Sequence, residues 1–301
     1  MASSGRRQAQ AERIGAQNLM RTIPNIELSN GSAIPQVGLG VLRVANDQTA
    51  SVVRSALEVG YRHIDTAAGY DNEAGVGQGL AQAGYASGPK RSELWLTTKL
   101  KDSEQGYDSA LAAFDRQLGL LQTDYVDMYM IHWPTPFNWR SGQTWKAFDR
   151  LRSEGRVASL GVCNFLPEHL ERLYAETGEY PVINQIELHP TWQQRETVSY
   201  CKEHGIAVEA YSPLARGADL EAGGGVIEAI AQQHRVSPAQ VILRWHIENG
   251  TIIIPKSVHH NRQQDNLNLF DFSLSESEHA SIDALDSPKR AGHDPLTFTY
   301  A

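Results

Sequence analysis

Cysteine is nearly missing from this chain. Two residues, Cys163 and Cys201, stand far apart with no CxxC spacing, which excludes a disulfide framework or zinc knuckle and fits a reducing, cytoplasmic setting. No stretch approaches the roughly 20 consecutive apolar residues that span a bilayer, so no membrane segment is expected. Nor is there surplus positive charge. The formal net charge of −8 argues against nucleic acid or an anionic membrane as the main partner, while leaving room for a local basic cluster that holds a phosphate. A Walker sequence is lacking, because IPKS at Lys256 follows no glycine loop. GLGVLR from Gly38 and GVGQGL from Gly75 both miss the third glycine of the Rossmann fingerprint, and the second falls inside a helical pattern. The first twenty residues have no apolar h-region, so they are not a signal peptide; residues 1–22 are expected to form a disordered or loosely helical extension.

What is present is ordinary globular composition, 41% hydrophobic and 21% charged in 301 residues, arranged as a long alternation. NIELSNGSAIPQVGLG places two apolar runs around Asn30-Gly31, a hairpin-turn dipeptide. DQTASVVRSALEVG then puts Val53, Ala56 and Leu57 on one helical face and stops at Gly60. Strand RHIDT, helix NEAGVGQGLAQAGY, strand ELWLTTKL and helix YDSALAAFDRQLGL follow, the last with Tyr107, Leu111, Phe114 and Leu118 read as its buried face. Four more strands, DYVDMYMIH, VASLGV, PVINQIEL and IAVEAYSPL, alternate with helices closed at Gly155, opened at Pro167 and ended near Gly178. Ser237-Pro238 opens a helix, TIIIP is the last strand, and Ser275 with Glu278 forms a capping box at the terminal helix. Eight strands alternating with helices imply a parallel sheet, either doubly wound or closed. The number eight favours a (β/α)8 TIM barrel with an N-terminal β-hairpin, as one domain over 23–301.

The polar residues that end these strands favour it further. Asp65, Lys99, His132, Asn164, Gln185 and Tyr211 each close an apolar run, as side chains converging on one barrel rim would. Asp65 and Tyr70 lie five residues apart in YRHIDTAAGYDNE. A carboxylate and a phenol held this close, completed by the Lys99 ammonium, make a proton-transfer site. A reaction that develops negative charge on an oxygen needs such a donor. A free tyrosine, with a pKa of about 10, is a poor acid near neutrality. An ammonium beside the phenol is expected to lower that value, with Asp65 holding Lys99 charged and His132 donating from the other side.

YRHIDTAAGYDNE, LTTKL, IHWP, GVCNF, NQIELHP, YSPL and IPKSVHHNRQQDN occur in the order and spacing of the aldo-keto reductases, and the chain resembles most the bacterial 2,5-diketo-D-gluconate reductase-like branch. The match runs from about Ile26 to the terminal helix. The resemblance implies a barrel that binds NADPH at its carboxyl rim and reduces aldehydes or ketones, with Asp65, Tyr70, Lys99 and His132 as the catalytic tetrad. It also implies a cofactor site of Val41, Asp65, Cys163, Asn164 and Gln185 around the nicotinamide, with Tyr211 stacked on its ring. Ser212 and Leu214 fall at the pyrophosphate turn, with Arg216 an unmatched addition. Lys256, Ser257, Val258 and Arg262 fall at the 2′-phosphate, and Asp265 and Asn266 at the adenine. No metal is implied, and a monomer acting on a small-molecule carbonyl compound is expected.

Three positions depart from the family pattern: Cys163 replaces serine, Lys101 a tryptophan, and Asp265 a glutamate. Leu42, Trp133, Phe137, Trp139 and Trp192, with Tyr70 and His132, are the candidate substrate funnel, and the tail SPKRAGHDPLTFTY is placed to fold over its mouth with Phe298 and Tyr300. Three other classes stay open on sequence. A class I aldolase would use Lys99 as a Schiff-base nucleophile but has no use for Lys256 and Arg262. A metal-dependent hydrolase would need His63, His132, His189 and Asp65, although His63 is expected to point away from Asp65 or to sit one layer deeper. A nucleotide sensor with slow turnover would retain the whole tetrad.

Overall fold

The structure, a computed structural model, describes residues 23–298. The expected extension over 1–22 and the tail residue Tyr300 lie outside the described residues. The chain opens with strands β1 (Asn25–Glu27) and β2 (Ala33–Pro35), paired antiparallel with Ile26 opposite Ile34. Gly31, at φ 82°, makes the turn, a conformation that needs no Cβ. This hairpin plugs the amino-terminal end of the barrel. Leu28 and Ile34 pack with Trp95, Met128, Met130, Ile183 and Ile252, and Asn30 donates to the Ser159 hydroxyl at 3.0 Å.

Eight parallel strands in sequential order follow: β3 (Leu39–Gly40), β4 (His63–Asp65), β5 (Trp95–Leu100), β6 (Val126–Ile131), β7 (Val157–Cys163), β8 (Ile183–Glu187), β9 (Ala207–Tyr211) and β10 (Ile252–Ile253). Between them run α1 (Asn46–Val59), α2 (Glu73–Ala83), α3 (Tyr107–Leu121), α4 (Ser141–Ser153), α5 (Pro167–Thr177), α6 (Arg195–Glu203), α7 (Val226–His234) and α8 (Pro238–Glu248). α9 (His260–Leu267) and α10 (Glu276–Asp283) end the chain, the latter with the expected Ser275–Glu278 capping box. The sheet closes on itself: Gly38 donates to the Ile253 carbonyl at 2.8 Å, and Ile253 to that of Gln36 at 2.9 Å. A closed barrel leaves no unpaired edge, and the doubly wound alternative falls. Among the described residues, no helix is long and apolar enough to cross a membrane.

The period of two along each strand sends alternate side chains inward and outward. Outward residues such as Ile64, Leu96, Leu100 and Val162 join Val53, Leu80, Phe114, Phe148 and Leu173 from the helices in one shared core. One helical face differs from expectation. α3 buries Ala110, Ala113, Phe114, Gln117, Leu118 and Leu121, while Tyr107 is 38% exposed. The turn of the helix is set by Gln117, whose amide donates to Glu73 at 2.9 Å and to the Lys99 carbonyl at 3.2 Å while its oxygen accepts from Tyr129 at 2.6 Å. A buried amide satisfied on both sides fixes the helix more sharply than the aliphatic pattern does.

The glycines of GVGQGL are packing devices within α2 rather than a nucleotide loop. A Cβ on Gly77 would collide with the Leu120 carbonyl oxygen at the end of α3. Alanine is the better helix former by about 1 kcal/mol, but the obstacle here is backbone and cannot swing aside. Gly77→Ala is therefore expected to destabilise the fold by about 1–3 kcal/mol. Denaturant unfolding checks the sign; a stabilised variant would show that α2 and α3 can separate freely.

Candidate active site

The carboxyl ends of the strands gather the predicted residues. Asp65 ends β4, Lys99 sits one residue from the end of β5, and His132 follows β6 directly. Tyr70 arrives on a single helical turn, Ala68–Tyr70, stopped by Asp71 in the left-handed region at φ 55°. That turn is anchored from behind by Asn72, whose amide donates to the Val41 and Val44 carbonyls at 2.9 and 3.0 Å and accepts from Thr66 at 3.1 Å. Lys99 Nζ then meets four oxygens: both carboxylate oxygens of Asp65 at 2.7 and 2.8 Å, the Thr66 carbonyl at 3.0 Å and the Tyr70 hydroxyl at 3.2 Å. The Tyr70 and His132 rings meet edge to face, centroids 5.6 Å apart. Each member of the tetrad except Tyr70 is at most 5% exposed.

Burial dominates the electrostatics. It alone would neutralise Lys99, but the Asp65 carboxylate holds the ammonium charged, its pKa above the ordinary lysine range. Burial likewise pushes Tyr70 up, and this outweighs the lowering by Lys99. The expected depression of the phenol is therefore corrected: Tyr70 stays a protonated donor, and Lys99 is placed to stabilise the phenolate only once it forms. Burial and Lys99 both drive His132 well below its ordinary value, leaving a neutral imidazole. A lysine clamped in its charged form is a poor nucleophile, which argues against the Schiff-base alternative.

Around this centre lie the expected cofactor residues. Gln185 touches the tetrad, donating to Asp65 at 2.8 Å. Asn164, in the left-handed region at φ 66°, donates to the His132 carbonyl at 3.0 Å and to the Cys163 sulfur at 3.1 Å, and accepts from the Tyr211 hydroxyl at 2.7 Å. Cys163 is buried, and burial pushes its thiol up, away from reactive thiolate. Val41 is buried and donates its N–H to the Asp65 carbonyl at 3.2 Å. Ser212 and Leu214 start the turns Ala215–Gly225, where Arg216 is exposed. Lys256, Val258, Arg262 and Asp265 are exposed at the entry and along α9, while Ser257 and Asn266 turn inward. Neither Lys256 nor Arg262 is paired with a carboxylate among the described residues.

The substrate candidates divide. Trp133 is buried beside His132 and packs on Phe298 and His293, centroids 4.5 and 6.4 Å away, so the tail does fold over this corner. Trp192 lines a cleft with Asn164, Glu187, Tyr211, Arg290 and His293. Leu42 is 36% exposed and Phe137 78%. Trp139 packs against Phe165 and His169 and donates to Glu176 on α5, apart from the tetrad.

Sequence reasoning overlooked what ties the tail down. Glu187 accepts from the Gly292 N–H at 2.9 Å and from His189 at 3.1 Å, and the other ring nitrogen of His189 meets Asp219 at 3.0 Å. Burial would lower the His189 pKa, but the two carboxylates raise it to about 8. The trio thus joins the loop after β8, the 215–225 segment and the tail. The i, i+2 spacing of Glu187 and His189 was the available signal. Among the described residues, no group of three or more His, Cys, Asp and Glu side chains could hold a metal ion.

A closed parallel barrel with an Asp–Lys–Tyr centre and a histidine at its rim is the frame in which this chain resembles known proteins. The model of the aldo/keto reductase family matches residues 34–287. An aldo-keto reductase of Mycolicibacterium smegmatis is 50% identical over 277 residues, 92% of this chain and 98% of that protein. Methylglyoxal reductase DkgA of Yersinia pestis is 45% identical over 275 residues, 91% of this chain and 97% of that one. The crystal structure of a Gox0644 mutant in complex with NADPH superposes with a TM-score of 0.87 at 43% identity, covering 93% of this chain and 100% of that chain. The chain belongs to the aldo/keto reductase family.

A histidine whose folded pKa is raised contributes stability below its ordinary value of 6.5 and loses it as pH rises through about 8. Wild type should therefore exceed His189→Gln in unfolding free energy by about 2 kcal/mol more at pH 6 than at pH 9. A gap that stays constant across this range, read by urea titration, would remove the charged trio.

Proposed function

We propose that this protein is an NADPH-dependent reductase of aldehydes and ketones, with Tyr70 as general acid, Lys99 and Asp65 as its tuning pair, and His132 orienting the carbonyl. The observation that carries this is the Lys99 ammonium bridging the Asp65 carboxylate and the Tyr70 hydroxyl at the barrel rim. When bound, the nicotinamide supplies a hydride to the carbonyl carbon. Tyr70 donates its proton to the carbonyl oxygen as negative charge grows there, and the fixed Lys99 charge meets the resulting phenolate without reorganisation. Neutral His132 offers the same oxygen a hydrogen bond rather than a competing full charge.

The cofactor site fits the group. Gln185 and Asn164 present amides beside the tetrad, Tyr211 supplies a ring surface, and the cations Lys256 and Arg262 stand with Ser257 at the start of α9. Lys256 and Arg262, without a carboxylate partner among the described residues, suit with Ser257 a phosphate monoester, which NADPH carries and NADH lacks. Asp265 and Asn266 complete the adenine end, with Val258 beside the phosphate set. Similarity to a methylglyoxal reductase and the motifs of the diketogluconate reductase-like branch both favour small reactive dicarbonyl compounds as substrates. The expected form is a cytoplasmic monomer.

Loss of nicotinamide absorbance on mixing with methylglyoxal tests the reading. Tyr70→Phe should lower kcat by 100-fold or more, within the about 10²–10⁴ range of a general acid, with NADPH affinity nearly unchanged; full turnover would sink the acid assignment. Arg262→Ala should weaken NADPH by about tenfold or more and NADH little, as loss of a charge-assisted phosphate contact would. Equal losses would dismiss the 2′-phosphate role. NADPH binding without turnover of any carbonyl would favour the sensor reading.

A further inference from the structure

Inside the barrel, one layer below the tetrad, lies a polar chain that the mechanism above does not use. His63 and Asp65 are two apart on β4 and so share the inward face. The expectation that His63 points away fails, while its deeper placement holds. Gln185, also inward, donates from its single amide nitrogen to Asp65 and to Glu209, each at 2.8 Å. Glu209 sits beside it on β9 in register. Its second oxygen faces His63 Nε2 at 3.4 Å, and both side chains are wholly buried. The imidazole has room because position 38 is glycine: a Cβ there would stand 2.5 Å from His63 Nδ1.

Hydrogen-bond logic fixes the protons. His63 Nδ1 lies 3.2 Å from the Pro35 carbonyl, which only accepts, so Nδ1 carries a hydrogen. In a neutral ring Nε2 is then bare, and it faces Glu209 Oε1 at 3.4 Å without a hydrogen bond between them. Burial, followed by the Asp65 charge, raises the Glu209 pKa to about 8, and burial lowers that of His63 to about 3. Both groups are therefore held towards their neutral forms. Lys99 and Asp65, the other charges facing Glu209, form their own ion pair, and Cys163 nearby keeps its proton.

The consequence falls on Gln185. With both amide hydrogens committed to carboxyl groups, its oxygen is the acceptor of this side chain and takes the Cys163 thiol at 3.7 Å as a weak donor that a stronger N–H can displace. We propose that Glu209, backed by His63, is a positioning residue that locks the Gln185 amide so that its oxygen faces the N–H of the nicotinamide carboxamide. This rests on the NADPH reading above. Without the second acceptor at Glu209, the amide can turn and offer the carboxamide a hydrogen where it needs an oxygen. An anionic Glu209 would also place a second negative charge beside Asp65 and favour oxidised, cationic nicotinamide over the reduced form.

Quenching of tryptophan fluorescence by NADPH and NADP+ tests this without turnover. Glu209→Gln keeps the acceptor for Gln185, so its NADPH Kd at pH 7 should stay within about twofold of wild type. Glu209→Met, of similar length but apolar, should raise that Kd by about tenfold, the loss of one oriented hydrogen bond. Between pH 7 and 9.5 the preference for NADP+ over NADPH should rise several-fold in wild type and stay flat in Glu209→Gln. Equal affinities in all three proteins, or the same pH response in wild type and Glu209→Gln, would overturn the proposal. The pH comparison decides even where Glu209→Met does not fold. Wild type that fails to bind NADPH at all would instead overturn the cofactor reading.

Discussion

The buried ion pair between Lys99 and Asp65 is the constraint on which the site depends. Removing one partner of such a pair strands a charge and costs about 3–5 kcal/mol, yet replacing both by apolar side chains is often neutral. Packing alone therefore gives little reason to place this pair in a barrel. Its reason is the third contact, to the Tyr70 hydroxyl at 3.2 Å. The cation is held charged by Asp65, aimed by the Thr66 carbonyl, and presented to a phenol that burial keeps protonated. The barrel supplies what a flexible loop cannot: two adjacent parallel strands in which Asp65 pairs with Thr97 and Lys99, two residues on and on the same face, reaches the carboxylate, with the helices outside holding that register by a continuous apolar core.

Around the pair the polar groups are arranged in layers. Above it stand His132, Asn164 and Tyr211, tied by hydrogen bonds from Tyr211 to Asn164 and from Asn164 to the His132 carbonyl. Below it Gln185 leads to Glu209 and His63. Outside it Gln117, buried against Glu73 and the Lys99 carbonyl, carries the satisfaction of polar groups through the sheet to α3. The tail is attached separately, through Glu187, to a charged histidine that also grips the 215–225 segment. The tetrad, the layer below it and the attachment of the tail thus rest on different sets of side chains.

Much of this could be read from the chain. The alternation of apolar runs, the glycines and prolines that punctuate it, and the polar residues ending successive strands gave the barrel and placed Asp65, Lys99 and His132 on one rim. Tyr70 followed from its nearness to Asp65. What could not be read depends on distant partners or on burial. Gln117 turned α3 away from its aliphatic face because Glu73 and Tyr129 wait for it. Burial outweighed the lysine at Tyr70, and spacing carries no measure of burial. Glu209 meets His63 only because the sheet closes, and Glu187 finds His189 and the tail only in three dimensions. Trp139 finds Phe165, His169 and Glu176 only in three dimensions.

The central claim is that Lys99 acts on Tyr70 during the chemical step. Single-turnover oxidation of bound NADPH by methylglyoxal in Lys99→Met, followed by stopped-flow absorbance beside wild type, tests it most directly. The account predicts that NADPH affinity stays within a few-fold while the rate of the chemical step falls by about two orders of magnitude or more. An unchanged single-turnover rate in a folded Lys99→Met protein would contradict it.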